Sequence, residues 1–232
     1  DLAVARSYRV CSPHETFTRI ASLFSACGIT RVANITGLDS IGIPVWVCHR
    51  PNGRLMSVSQ GKGATDEFAK VSAVMESIES YHAEHVRPPD LVGSYLKLSK
   101  QTSLLNPRTL LHGPLWSRYI PSMPLGWLRG QHLFSKESIL VPRSYVALDR
   151  THPDSEFGLF QVTSNGLASG NTREEAIGHA LCELIERHEQ FVFYQRSSAA
   201  RQKRLIDLNS ITDSLLVYLL QKFKSAGLDV LL

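Results

Sequence analysis

From Thr163 to Asn171 the chain is a polar, glycine-bearing loop, Thr163-Ser164-Asn165-Gly166-Leu167-Ala168-Ser169-Gly170-Asn171. It feeds a long predicted helix that runs to about Glu189 and carries Glu175, Glu183 and Glu186 on one side. At about 100° per residue these three acids stand near 0°, 80° and 20°, with Asn171 near −40°. Like charges at helical spacing repel one another, so this face needs a cation. A divalent metal ion is the strongest candidate.

A second stretch has the same design. Gly61-Lys62-Gly63-Ala64-Thr65 leads into a predicted helix from about Asp66 to His85, on which Ser72, Glu76 and Glu79 share one narrow stripe. Several carboxylates make a hard oxygen ligand set, which suits Mg²⁺, and Mg²⁺ keeps positions open for phosphate oxygens. The residues therefore point to a Mg-phosphate site between two acidic helices. Lys62 is placed to meet a phosphate as a point charge. The segment is not a Walker A loop, because no glycine stands five residues before Gly61 and no Lys-Ser or Lys-Thr opens the helix.

A purely structural reading competes with this one. Thr172-x-x-Glu175 is also a capping box, and charged stripes are usually solvated. Against it stand the apolar neighbours Met75, Ile78, Ala176, Ile177, Leu181, Leu184 and Ile185, which predict that both helices are substantially buried. Buried carboxylates need partners.

Composition narrows the classes. Apolar content of 43% with 20% charged residues is that of a globular chain. The net charge of +4 comes without a basic run interleaved with aromatics, so no nucleic-acid partner is expected. No apolar run reaches the roughly 18 residues of a membrane span, so no membrane partner is expected and the predicted compartment is the cytoplasm. Cys11, Cys27, Cys48 and Cys182 lack CxxC spacing and read as reduced thiols, not a zinc site. There is no Gly-x-Ser-x-Gly elbow and no His-x-x-x-His pair. The catalytic residue stays unknown; His179, near 40° on the acidic face by the same 100° spacing, is the one guess at a base.

Along the chain, Arg6-Ser7-Tyr8 belongs to a short polar lead. Ser12-Pro13-His14-Glu15 then starts a helix expected to run to Cys27. Residues 30–35, 43–50 and 55–59 read as strands, 95–104 as a short helix, and 125–129 and 138–147 as strands. Residues 148–161 read as a loop, 213–225 as an amphipathic helix and 228–232 as the start of a strand. The class is α+β, mixed sheets with helices packed on them. Residues 1–232 form a single expected domain containing two loop–acidic-helix units, 61–86 and 164–190.

Gly61-Lys62-Gly63, Ser72-x-x-x-Glu76-x-x-Glu79, Asn171-x-x-x-Glu175 and Glu183-x-x-Glu186-Arg187, in this order, resemble the YcaO family. The resemblance covers about Arg9 to Gln195. It implies an enzyme that uses ATP and Mg²⁺ to phosphorylate a peptide backbone amide, giving azolines, thioamides or amidines in a ribosomally made peptide or protein. Glu76, Glu79, Glu175, Glu183 and Glu186 would hold Mg²⁺. Arg9, Thr16, Lys62, Ser72, Asn171 and Arg187 would position the nucleotide. Gly28 to Val45 is most similar to the branch that works with TfuA-type partner proteins and makes thioamides. The implied partners are a peptide or protein substrate, a TfuA-like protein and a second copy in a homodimer. A non-catalytic peptide scaffold or a nucleotide-binding accessory protein are the alternatives. Two departures stand out: Ser80 occupies a position where the family commonly has arginine, and the family's C-terminal part is expected to be missing after Leu232.

Overall fold

A computed structural model describes residues 9–149, 151 and 156–232. The polar lead at residues 6–8, and residues 150 and 152–155 of the expected loop, lie outside the described residues. In chain order the elements are α1 (Pro13–Ala21), β1 (Arg31–Asn34), β2 (Val45–His49), β3 (Val58–Lys62), α2 (Asp66–Glu84), β4 (Leu91–Ser94), α3 (Tyr95–Leu98), β5 (Pro124–Gln131), β6 (Ser138–Pro142), α4 (Arg143–Val146), α5 (Arg173–Tyr194), α6 (Ser198–Gln202) and α7 (Ser214–Ser225). The α+β class is the one the sequence predicts. Each sheet is an antiparallel meander of three strands, β1-β2-β3 and β4-β5-β6; among the described residues parallel pairing is confined to one bridge, Leu104 to Leu140. The fold divides into two compact units, residues 9–52, 56–79 and 165–232 in one, and the described residues within 53–55 and 80–164 in the other.

In the first unit the capping box of α1 forms as its sequence dictates. Ser12 Oγ accepts the Glu15 N–H at 3.2 Å, and Glu15 Oε2 accepts the Ser12 N–H at 2.8 Å. The helix ends at Ala21, earlier than Cys27, and turns carry the chain to Gly28. In the sheet Arg31 stands opposite His49, and Val45 opposite Lys62. Asp66, at the start of α2, accepts from Trp46 Nε1 and from Asn34 Nδ2, each at 2.8 Å. An acidic residue in the first turn also complements the helix dipole. These bonds fix the start of α2 against β1 and β2. The buried Arg50 donates from Nη1 to the Ser77 carbonyl at 2.7 Å, fixing the helix further along. Cys48, Ala69, Ala73, Val74 and Ile78 are buried in this unit.

Gly61 explains how closely strand and helix approach. A Cβ built there would lie 2.1 Å from the Ala73 backbone nitrogen and 2.2 Å from the Ala69 carbonyl oxygen. Gly61 and Lys62 belong to β3, where the sequence suggested a loop. Missing side-chain volume, not loop flexibility, is what glycine supplies here.

In the second unit Leu98, Leu111, Tyr119, Leu125, Trp127, Leu140, Leu159 and Phe160 form one core. Trp127 Nε1 donates to the Gly93 carbonyl at 2.9 Å, so the largest buried side chain has its polar atom satisfied. Arg143 begins the single turn of α4, where a strand was expected, and donates from Nη2 to the Val86 carbonyl at 3.0 Å. Two further expectations fail. Residues 228–232 form no strand. The helix α5 has no buried residue, with Leu184 and Ile185 44% and 63% exposed. Its apolar residues from Ala176 to Ile185 cover about half of the circumference, a wider arc than one packed element can cover.

Candidate active site

All the predicted site residues belong to the first unit. Most of them fall into two groups. The first holds Glu76 and Glu79 of α2 and Glu183 of α5. Burial pushes the Glu79 carboxyl up to about 7; the Ser169 hydroxyl and N–H oppose this, while the Glu76 and Glu183 carboxylates reinforce it. Burial also raises Glu76, against the attraction of Lys62 and the hydrogen bond from the Gln60 N–H. Glu183 accepts the Gly166 N–H at 2.9 Å, and Arg187 stands one helical turn away with Nη2 at 3.5 Å. Glu79 thus feels both other acids, Glu76 on its own helix and Glu183 on a helix far along the sequence. Lys62 and Ser72 are exposed, Lys62 at the end of β3 and Ser72 one turn before Glu76.

The second group gathers at the start of α5. Thr172 caps this helix, its Oγ1 accepting the Glu175 N–H at 3.1 Å. The Glu175 carboxylate does not complete the capping box. It accepts from Arg9 Nη1 at 2.8 Å and from the Val10 N–H at 3.3 Å. Burial pushes the Glu175 carboxyl up, but the Arg9 and Val10 hydrogen bonds outweigh it and hold the carboxyl below its usual range. Asn171 Nδ2 donates to Thr16 Oγ1 at 3.0 Å, and the buried Thr16 hydroxyl donates to the Ser12 carbonyl at 2.9 Å. Arg9, Thr16, Asn171 and Glu175 are therefore brought together at the start of α5.

Glu186 stands apart. It is exposed and accepts from Gln190 Nε2 at 3.0 Å, one turn further along its own helix. His179 is exposed as well. Sequence reasoning missed Ser169 and the Gly166 N–H, both of which hold site carboxylates. The signal was present in the polar loop before α5, but no spacing rule links a loop hydroxyl to a glutamate on a distant helix.

Among the described residues no three histidine, cysteine or carboxylate groups stand close enough to form a metal shell unaided. The chemistry of the set still fits Mg²⁺. Its donors are oxygens, and Glu79 is raised first by its own burial and then by the Glu76 and Glu183 carboxylates beside it. Mg²⁺ takes one or two protein carboxylates and completes its shell with phosphate oxygens and water.

The sequence model of the family described as YcaO cyclodehydratase, ATP- and Mg²⁺-binding, matches residues 60–232. The chain belongs to the YcaO family. A protein encoded in the tfuA 3′ region of Rhizobium leguminosarum bv. trifolii is 35% identical over 97% of this chain and 53% of its own length. The structure of YcaO from Methanopyrus kandleri, bound with AMPPCP and Mg²⁺, superposes with a TM-score of 0.58 at 26% identity, over 78% of this chain and 44% of that one. A heterocyclase in complex with substrate and cofactor shares the fold at a TM-score of 0.74 and 20% identity, over 95% of this chain and 33% of its own. The chain spans about half the length of the curated relatives it matches. No helix of the described residues is long and apolar enough to cross a membrane.

Proposed function

We propose that this YcaO chain binds Mg-ATP through Glu76, Glu79, Glu175, Glu183 and Glu186 together with Arg9, Thr16, Lys62, Ser72, Asn171 and Arg187, and serves ATP-dependent activation of a peptide backbone amide. The observation that carries this reading is that the half-buried Glu79 is raised not only by burial but also by the Glu76 and Glu183 carboxylates beside it, a set of acids that a cation would relieve. Bound Mg-ATP supplies the phosphoryl group that activates the amide oxygen and the cation that offsets phosphate charge. The protein's part is positioning and electrostatics. Lys62 and Arg187 offer cations to phosphate oxygens. Glu175, held ionised by Arg9, orders the start of α5, and the Asn171–Thr16 pair orders the residues just before it.

For the product we favour the thioamide over the azoline, with a TfuA-type protein as partner. The support is the relative encoded in a tfuA 3′ region. The test is mass spectrometry of a candidate peptide incubated with the complete protein, ATP, a sulfide source and the TfuA-type partner. Exchange of oxygen for sulfur makes the peptide about 16 Da heavier, whereas azoline formation makes it about 18 Da lighter through loss of water. An unmodified peptide, with ATP bound but not consumed, would instead identify a scaffold or accessory role.

A further inference from the structure

Lys70 is a cation of the first unit that neither group of acids uses. It stands on α2, the helix that carries Ser72, Glu76 and Glu79. Its Nζ lies 3.9 Å from the centroid of the Phe17 ring, on α1, and 5.5 Å from the centroid of the Trp46 ring, on β2. Among the described residues no carboxylate pairs with Lys70, and the two rings are its partners. An ammonium over aromatic faces is attracted by the ring quadrupoles, more strongly where water is partly excluded. Lys70, Phe17 and Trp46 are all half-buried.

The Trp46 side of this contact is fixed independently. Asp66, one turn before Lys70, accepts from Trp46 Nε1 at 2.8 Å. The first two turns of α2 thus hold the indole by its nitrogen and by its face. The Phe17 side is held less firmly. α1 has nine residues and buries one of them, Thr16. A helix so little buried is placed by a few specific contacts. One is the hydrogen bond from Asn171 Nδ2 to the Thr16 hydroxyl at 3.0 Å, and another is the Lys70 ammonium under the neighbouring Phe17.

We propose that Lys70 is a positioning residue for Mg-ATP binding. Its ammonium ties α1 to the helix that bears Glu76 and Glu79, and so keeps Thr16 against Asn171. It acts through Phe17 and Thr16 and not on the nucleotide. The inference rests on the Mg-ATP reading of the site.

Three variants of the complete protein test it. Lys70→Met keeps the apolar stem without the charge, Lys70→Arg keeps the charge, and Phe17→Leu removes the ring on α1. Without nucleotide, amide hydrogen exchange along α1 should quicken severalfold in Lys70→Met and Phe17→Leu and stay parental in Lys70→Arg, while β5 and β6 keep parental rates in all three. By calorimetry Lys70→Met should weaken Mg-ATP binding about fivefold, the scale of one cation–π contact, and Lys70→Arg should restore it. In an Asn171→Ala background the Lys70→Met loss should fall below about twofold, because the tie then holds Thr16 against nothing. Parental exchange along α1 in Lys70→Met, undiminished Mg-ATP binding by that variant, or a loss that simply adds to that of Asn171→Ala would each overturn this inference alone. Absence of Mg-ATP binding by the parent protein would instead overturn the reading on which it rests, and the inference with it.

Discussion

Arg9 and Glu175 form a 2.8 Å ion pair in which the arginine is exposed and the glutamate side chain is only 7% exposed. A cation of the site thus already engages one of its carboxylates. Replacing Arg9 by methionine keeps much of the stem but leaves Glu175 without its strongest partner. Solvent screening at Arg9 limits the loss to about 1 kcal/mol at neutral pH. The sign with pH follows from the lowered Glu175 carboxyl. Its contribution is present above the unfolded pKa and vanishes as pH falls through the folded one. Urea titrations of the two proteins should therefore differ at pH about 7 and converge near pH 3.

Glu79 works in the opposite direction. Its folded carboxyl sits at about 7 against an ordinary 4.5, so the folded chain binds the proton more tightly. The stabilisation is complete below the ordinary value and is lost as pH rises toward 7. The slope contributed by this group is at most about 1.4 kcal/mol per pH unit. Metal-free protein should lose stability between pH about 5 and 7, and Glu79→Gln should flatten that dependence. A variant as pH-dependent as the parent would show that Glu79 is not the group under stress.

The two acidic helices were legible because their signals are local. Stripes at helical spacing and the Ser12–Glu15 capping box need no knowledge of the rest of the chain. What stayed illegible depends on partners far away in sequence. The hydrogen bond between Asn171 and Thr16 spans 155 positions, and no propensity encodes it. Gly61 and Lys62 read as a loop because glycine is a turn former, yet packing against Ala69 and Ala73 selects a strand. The strand β4 was missed because Leu91-Val92-Gly93-Ser94 is short and contains a glycine; pairing with β5 decides it. For α5 the apolar residues predict burial, although their arc is too wide for one neighbour.

Gly61→Ala tests the strand–helix approach. The added methyl would meet backbone atoms of Ala69 and Ala73, which cannot rotate away. Overpacking of this kind costs about 3 kcal/mol, or more where backbone must shift. Thermal unfolding should report a large loss. A merely loop-like Gly61 would tolerate alanine within about 1 kcal/mol.

The carboxylates should not contribute equally to Mg-ATP binding. Glu76 and Glu183 are the two acids coupled to Glu79, whereas Glu186 is exposed and bonded to Gln190. Loss of one charge-assisted ligand costs about 1–3 kcal/mol. Calorimetry should therefore find Glu76→Gln and Glu183→Gln weakened by that amount. Glu186→Gln should lose less than either, because Glu186 is not among the acids coupled to Glu79 and its carboxylate accepts from Gln190 on its own helix. Glu175→Gln should fall between them, since Arg9 already neutralises that charge. Equal losses at Glu186 and Glu183 would mean that α5 presents both acids to the ion, and that the hydrogen bond from Gln190 is broken when nucleotide binds.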